Sequence, residues 1–170
     1  MRRALLAALC VVTASCGYHV SGRGDLMPKN VKIIAVPAFA NVTTRYQLAR
    51  LLPEDISREL IARTHYAVVS DPAKADAVLN GGVSSFLFFP ITSDVATSRA
   101  TSVEVVVLLQ ISLTDRTTNA VLYSRPGFEF RERYQISENP QQYFDESGPA
   151  MIRLSRAVAQ SVVTGILENF

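Results

Sequence analysis

Thr101 to Asp115 reads TSVEVVVLLQISLTD. Val103, Val105, Val107, Leu109, Ile111 and Leu113 share one parity, against Ser102, Glu104, Gln110, Ser112 and Thr114 on the other. A period of two sustained this long predicts an extended strand with one face on a core and the other toward solvent. Downstream, Asp115-Arg116-Thr117-Thr118-Asn119 forms a turn, and Val121 to Tyr134 returns with Tyr123, Phe128 and Phe130 facing one way and Glu129, Arg131 and Arg133 the other. Pro126-Gly127 interrupts this strand, as suits an edge or a bulge. Upstream, Val78 to Ile91 puts Leu79, Val83, Leu87 and Phe89 on one parity and Asn80, Gly82 and Ser84 on the other, until Phe86 and Phe88 make both faces apolar. Asn80-Gly81-Gly82 lies within this strand pattern and precedes no helix, so its glycines mark a bulge or a close backbone approach, not a phosphate loop. The three long strands predict an antiparallel meander.

Outside the meander the pattern changes. Val31 to Val36 is rich in β-branched residues, stops at Pro37 and predicts a buried first strand. Asn41, Thr43 and Thr44 are N-cap candidates for a helix over Arg45 to Thr64, whose stripe is Leu48, Leu52, Ile56 and Leu60, widened by Leu51 and Ile61. Pro53 inside it implies either a kink or a helix that starts at Pro53. Ala67 to Ser70 is a short strand ended by Asp71-Pro72. A second helix carries Met151, Leu154, Val158, Val162 and Ile166, after a polar, breaker-rich segment over 135–149. The order predicts an α+β two-layer sandwich, a mainly antiparallel sheet with two helices packed on one face.

The N-terminus has a different logic. Met1-Arg2-Arg3 is basic, Ala4 to Val12 is an uncharged apolar run too short to span a bilayer, and Thr13-Ala14-Ser15 are small. This is a secretory signal over 1–15 ending before Cys16, the position that lipoprotein processing acylates. Thr13 stands where Leu, Val or Ile is usual. Residues 16–30, with three glycines and a proline, read as a lipidated tether, and 31–170 as one domain. Cys10 leaves with the signal and Cys16 is used by lipid, so no pair remains for a disulfide, thiolate zinc site or redox centre. Removal of Arg2 and Arg3 leaves fifteen basic residues against fifteen acids. Such a neutral surface argues against nucleic-acid binding.

Catalytic constellations are not found. His19 lies in the tether, and His65 follows the first helix, where a polar or cationic residue is a common terminus. Gly-x-Ser-x-Gly, His-Glu-x-x-His and phosphate-loop motifs are missing, and no metal or cofactor is expected. The run Phe86-Leu87-Phe88-Phe89-Pro90 is different, because four bulky residues in succession do not all fit one core. Either another element of the chain covers the second face, or Phe86, Phe88 and Phe89 form a docking surface for a protein or lipid partner. Arg99, Arg116 and Arg133, near strand ends, are either solvated or placed to meet anionic headgroups.

Cys16-Gly17-Tyr18-His19-Val20, then Val36-Pro37-Ala38-Phe39-Ala40-Asn41-Val42-Thr43 and an amphipathic helix, resemble the lipopolysaccharide-assembly lipoproteins of the LptE family. The resemblance implies a non-catalytic domain, lipid-anchored at Cys16 to the periplasmic face of the outer membrane. It implies a protein that plugs the LptD-like translocon barrel, helps it assemble and assists lipopolysaccharide delivery to the cell surface. In that family basic residues between strands and before the last helix contact lipopolysaccharide, and Arg99 and Arg133 lie in comparable regions. Lipoproteins of the curli-secretion or peptidoglycan-synthase-activator type share the strand, phenylalanine, asparagine and helix, and form an alternative. A periplasmic hydrolase is a third reading, without a supporting cluster.

Overall fold

The computed structural model describes residues 27–28, 30–93, 100–135 and 147–169. The signal, Cys16, most of the expected tether and the polar segment over 136–146 lie outside the described residues. The elements are β1 (Ile33–Ala35), β2 (Ala40–Asn41), α1 (Tyr46–Arg63), β3 (Ala67–Val69), a 3-10 turn (Pro72–Lys74), β4 (Ala77–Ser93), β5 (Ala100–Asp115), β6 (Val121–Gln135) and α2 (Ser147–Glu168).

The six strands form one mixed sheet in an α+β fold. Its order is β3-β1-β4-β5-β6, with β2 also on β4. The long strands β4, β5 and β6 pair antiparallel in sequence, as the meander requires. The short strands β1, β2 and β3 pair parallel, which the alternation did not reveal, because strands of two or three residues carry too little pattern to show direction. Met27, on the described end of the expected tether, is buried, and Asn30 Nδ2 donates to Asp115 Oδ2 at 2.9 Å. The chain is thus fastened to the sheet ahead of β1.

Two bulges decide which residues face the core. In β5 the odd positions from Val103 to Leu113 are buried. Opposite them, β6 pairs Ile111 with Arg125 but Leu109 with Phe128, so one extra residue is accommodated around Pro126-Gly127. The insertion switches parity, and so Tyr123 and Phe128, odd and even, both point inward. A second shift lies between Val83 and Ser85 of β4, where Ser84 Oγ donates to the Leu108 carbonyl at 2.9 Å. Past it, Phe86 faces Val107 and Phe88 faces Val105 on the core side, while Leu87 and Phe89 pair with Val106 and Glu104 on the other. The shared parity expected for Leu79, Val83, Leu87 and Phe89 is therefore broken, since one inserted residue inverts every position after it.

Helix α1 buries Leu48, Leu52, Ile56 and Leu60 completely or nearly so, each side chain worth roughly 1.5–3 kcal/mol. Ile61, expected to widen this stripe, is 60% exposed, one step around the helix from Leu60. The helix runs unbroken through Pro53, and Ser57 Oγ donates to the Pro53 carbonyl at 2.6 Å. The start at Pro53 is thereby ruled out. The N-cap position is Arg45, without a side-chain cap. Asn41 and Thr43 instead shape the preceding turn: Asn41 Oδ1 accepts from the Thr43 amide at 3.0 Å, and Thr43 Oγ1 accepts from the Arg45 amide at 3.1 Å. Helix α2 buries Leu154, Val158, Val162 and Ile166 in the same core cluster. Phe39 lies flat on Gly81, where an added Cβ would sit 2.3 Å from its ring. This is the close approach that Asn80-Gly81-Gly82 announced.

Candidate functional site

The Phe86–Pro90 run occupies the distal half of β4. Strand β2 accompanies β4 only to Val83, and beyond it no described strand lies on that side. Phe86 is half-buried and packs against the core, with the Arg45 guanidinium 5.4 Å from its ring centroid. Phe88 and Phe89 are 42% and 47% exposed, and Leu87 and Ile91 are exposed as well. The expected docking residues are thus brought together, though on two faces: Phe86 and Phe88 on the helix side, Phe89 with Leu87 on the other. Leu87 and Ile91 extend the exposed apolar stretch, and Arg45 adjoins it, none of which the sequence reading had grouped with the three phenylalanines. The run Val105-Val106-Val107-Leu108-Leu109 carried the signal, because Val106 and Leu108 interrupt the polar parity of β5 alongside Leu87 and Ser85.

Arg133 is exposed and hydrogen-bonded through Nε to Glu104 Oε1 at 3.0 Å. Arg131 reaches the same carboxylate at 3.5 Å and Glu129 at 2.6 Å. Its hydrogen bond and charge attraction to Glu129, with a smaller share from Glu104, raise the Arg131 pKa above the usual guanidinium value. Arg99 lies outside the described residues. Arg116 is exposed and tied to the turn ahead of β4: its Nη1 donates to the carbonyls of Ala73 and Ala75 at 2.7 and 3.3 Å. His65 is exposed just after α1, whose C-terminus is closed by Thr64 bonding to the Leu60 carbonyl through its amide at 2.9 Å and its hydroxyl at 2.6 Å.

Depressions also lie among the described residues. One of about 40 Å³ lies between Val105, Glu132 and Met151, room for a few waters. A polar crevice between the helices is lined by Asp55, Arg58, Glu59, Arg156 and Gln160. An open groove of about 530 Å³ runs along β6 and α2, past Arg125, Phe128, Phe130 and Gly165. Among the described residues no three His, Cys, Asp or Glu side chains converge as a metal-holding group, and no helix is long and apolar enough to cross a membrane.

This α+β fold is shared by several solved proteins. Lipoprotein B of Nitrosomonas europaea superposes with a TM-score of 0.55 at 13% identity, over 89% of this chain and 90% of that one. A minor lipoprotein of Acinetobacter baumannii gives 0.51 at 13%, over 84% and 95%. A PelC dodecamer subunit of Paraburkholderia phytofirmans gives 0.50 at 18%, over 81% and 90%. At such identities the likeness is one of fold. No curated protein sequence matches the chain. The family is given by the sequence itself: residues 31–166 match the LptE lipopolysaccharide-assembly model, and the chain belongs to the LptE family.

Proposed function

We propose that this chain is a non-catalytic lipoprotein of the outer membrane that plugs the lipopolysaccharide-translocon barrel, helps it assemble and assists lipopolysaccharide delivery. Membership of the lipopolysaccharide-assembly family over residues 31–166 is the observation that carries this reading. In this proposal residues 1–15 are a signal, Cys16 takes the lipid, 16–30 form the tether and 31–170 the working domain, a two-layer sandwich with both helices on one face of the sheet. The anchor holds the domain at the periplasmic face of the membrane. Phe86, Phe88 and Phe89 belong to the docking surface, in keeping with what an exposed apolar patch usually means. Arg133, exposed at the end of β6, joins Arg99 in meeting the phosphates of lipopolysaccharide, a role suited to the fork geometry of a guanidinium.

Affinity capture of the full chain from outer membranes tests the reading. The expected partner is the translocon β-barrel, and recovery of the chain without it overturns the proposal. Substitution Cys16→Ala removes incorporation of labelled fatty acid; labelling that persists refutes the anchor site.

A further inference from the structure

We infer that Met27 to Val31 are the root of the membrane tether and fasten the anchored domain by the Asp115 end of its sheet, so that this polar end faces the headgroups of the anchoring membrane and the apolar end of β4 is carried farthest from them. The inference rests on the Cys16 anchor proposed above and adds the direction in which the domain stands.

The root is built into the fold. Met27 is 4% exposed and Val31 3%, and both belong to the core cluster. The Val31 amide donates to the Pro28 carbonyl at 2.9 Å, and Asn30 Nδ2 donates to Asp115 Oδ2 at the same distance. A second carboxylate continues the fastening, since Asp76 Oδ2 accepts the amides of Lys32 and Ile33, each at 2.9 Å. A chain that serves only as a spacer buries no side chain and spends no carboxylate in this way.

The strand register then gives the direction. β1 runs parallel to β4 with Ile34 level with Ala77, and Ala77 lies opposite Asp115. The chain therefore enters at the end of the sheet where β4 begins and β5 turns toward β6. Phe89 lies farther along β4 by about 40 Å, counted as twelve residues of extended strand. Eleven residue steps separate Cys16 from Met27, a reach of about 40 Å at full extension. The Asp115 end is thus always within that reach, whereas Phe89 meets the anchoring leaflet only if the domain lies flat or hangs from a tether drawn to its limit. The chemistry of the near end agrees. Lys32, Lys74 and Thr117 to Asn119 are exposed there, and Asp71 pairs with Lys74. Such polar groups keep their hydration among headgroups and lose it among acyl chains.

The chain contains no tryptophan, so one introduced indole is a unique energy donor. The full chain carrying Thr117→Trp or Phe89→Trp is purified from membranes in its lipidated form and reconstituted into phosphatidylethanolamine and phosphatidylglycerol vesicles doped with dansyl-labelled phosphatidylethanolamine. Energy transfer to the headgroup dye is expected to be stronger from Thr117→Trp than from Phe89→Trp by about twofold or more, given the length of strand between them. Adding Met27→Ser and Asn30→Ala to Thr117→Trp returns four positions to the tether, about 14 Å of reach, and lowers the transfer. Thermal midpoints confirm that this variant is folded; in a folded variant, unchanged transfer overturns the root. Equal transfer from the two indoles, or stronger transfer from Phe89→Trp, overturns the direction while the flotation of the chain with the vesicles leaves the anchor standing. A Cys16→Ala chain that floats as well as the parent overturns the anchor reading itself.

Discussion

The hydroxyl of Ser155 on α2 donates to Asp55 Oδ2 on α1 at 2.6 Å, with both residues buried and 100 positions apart in sequence. Arg58 shares the same carboxylate through Oδ1. The contact is a polar fastening in the seam between the helices. Ser155→Ala leaves one carboxylate oxygen short of a donor, at an expected cost of about 1–3 kcal/mol in chemical denaturation. Pairing it with Asp55→Asn in a double-mutant cycle gives a coupling energy clearly different from zero.

Gly81 is bound to Phe39 by geometry. Gly81→Ala drives a methyl into the Phe39 ring and is expected to cost about 1–3 kcal/mol. In a Phe39→Leu background the same substitution costs less. Equilibrium unfolding of the single and double variants measures the difference; additive values would mean that the ring simply moves aside.

Tyr123 is 6% exposed and its hydroxyl has no hydrogen-bond partner among the described residues. A Cβ at Gly165 would lie 2.9 Å from that oxygen. Tyr123→Phe deletes the orphan group, and a rise in stability of about 1 kcal/mol is expected. Gly165→Ala is harmful in the wild type and tolerated beside Tyr123→Phe, as thermal midpoints of the four proteins will record.

Asp115 sets an acid limit on the fold. Its carboxylate accepts the Thr118 amide at 2.9 Å, Asn30 Nδ2 at 2.9 Å and the Thr117 amide at 2.8 Å. Led by the Thr118 amide, with Asn30 next, these bonds lower its pKa below the ordinary aspartate value of 3.8 despite burial. A lowered folded-state pKa contributes stability that is present above the unfolded value and lost as pH falls through the folded one. Stability measured from neutral pH downward therefore drops below about pH 4, and Asp115→Asn has a shallower fall over that window.

Much of this architecture was legible because the long strands alternate over many residues and the helix stripes repeat every turn. Val103 to Leu113 fixed the core face of β5, and Pro126-Gly127 marked the bulge of β6. The Ser84 bulge escaped notice, since serine in a strand gives no breaker signal, and with it went the true facing of Leu87 and Phe89. Parallel pairing of β1, β2 and β3 is a long-range choice made by packing, not by local pattern. The exposed run from Phe86 to Phe89 was visible as an excess of bulk over core volume. Arg45 was not, because only the fold carries it over Phe86.

Strand β6 ends the sheet, and between Arg125 and Arg133 it holds Arg125, Glu129, Arg131, Glu132 and Arg133. A strand so dense in charge is a poor template for further pairing, because a second copy laid along it must match or desolvate every one of them. At the crowded concentrations of a cell envelope, the outer edge of β6 therefore resists fibril-like growth.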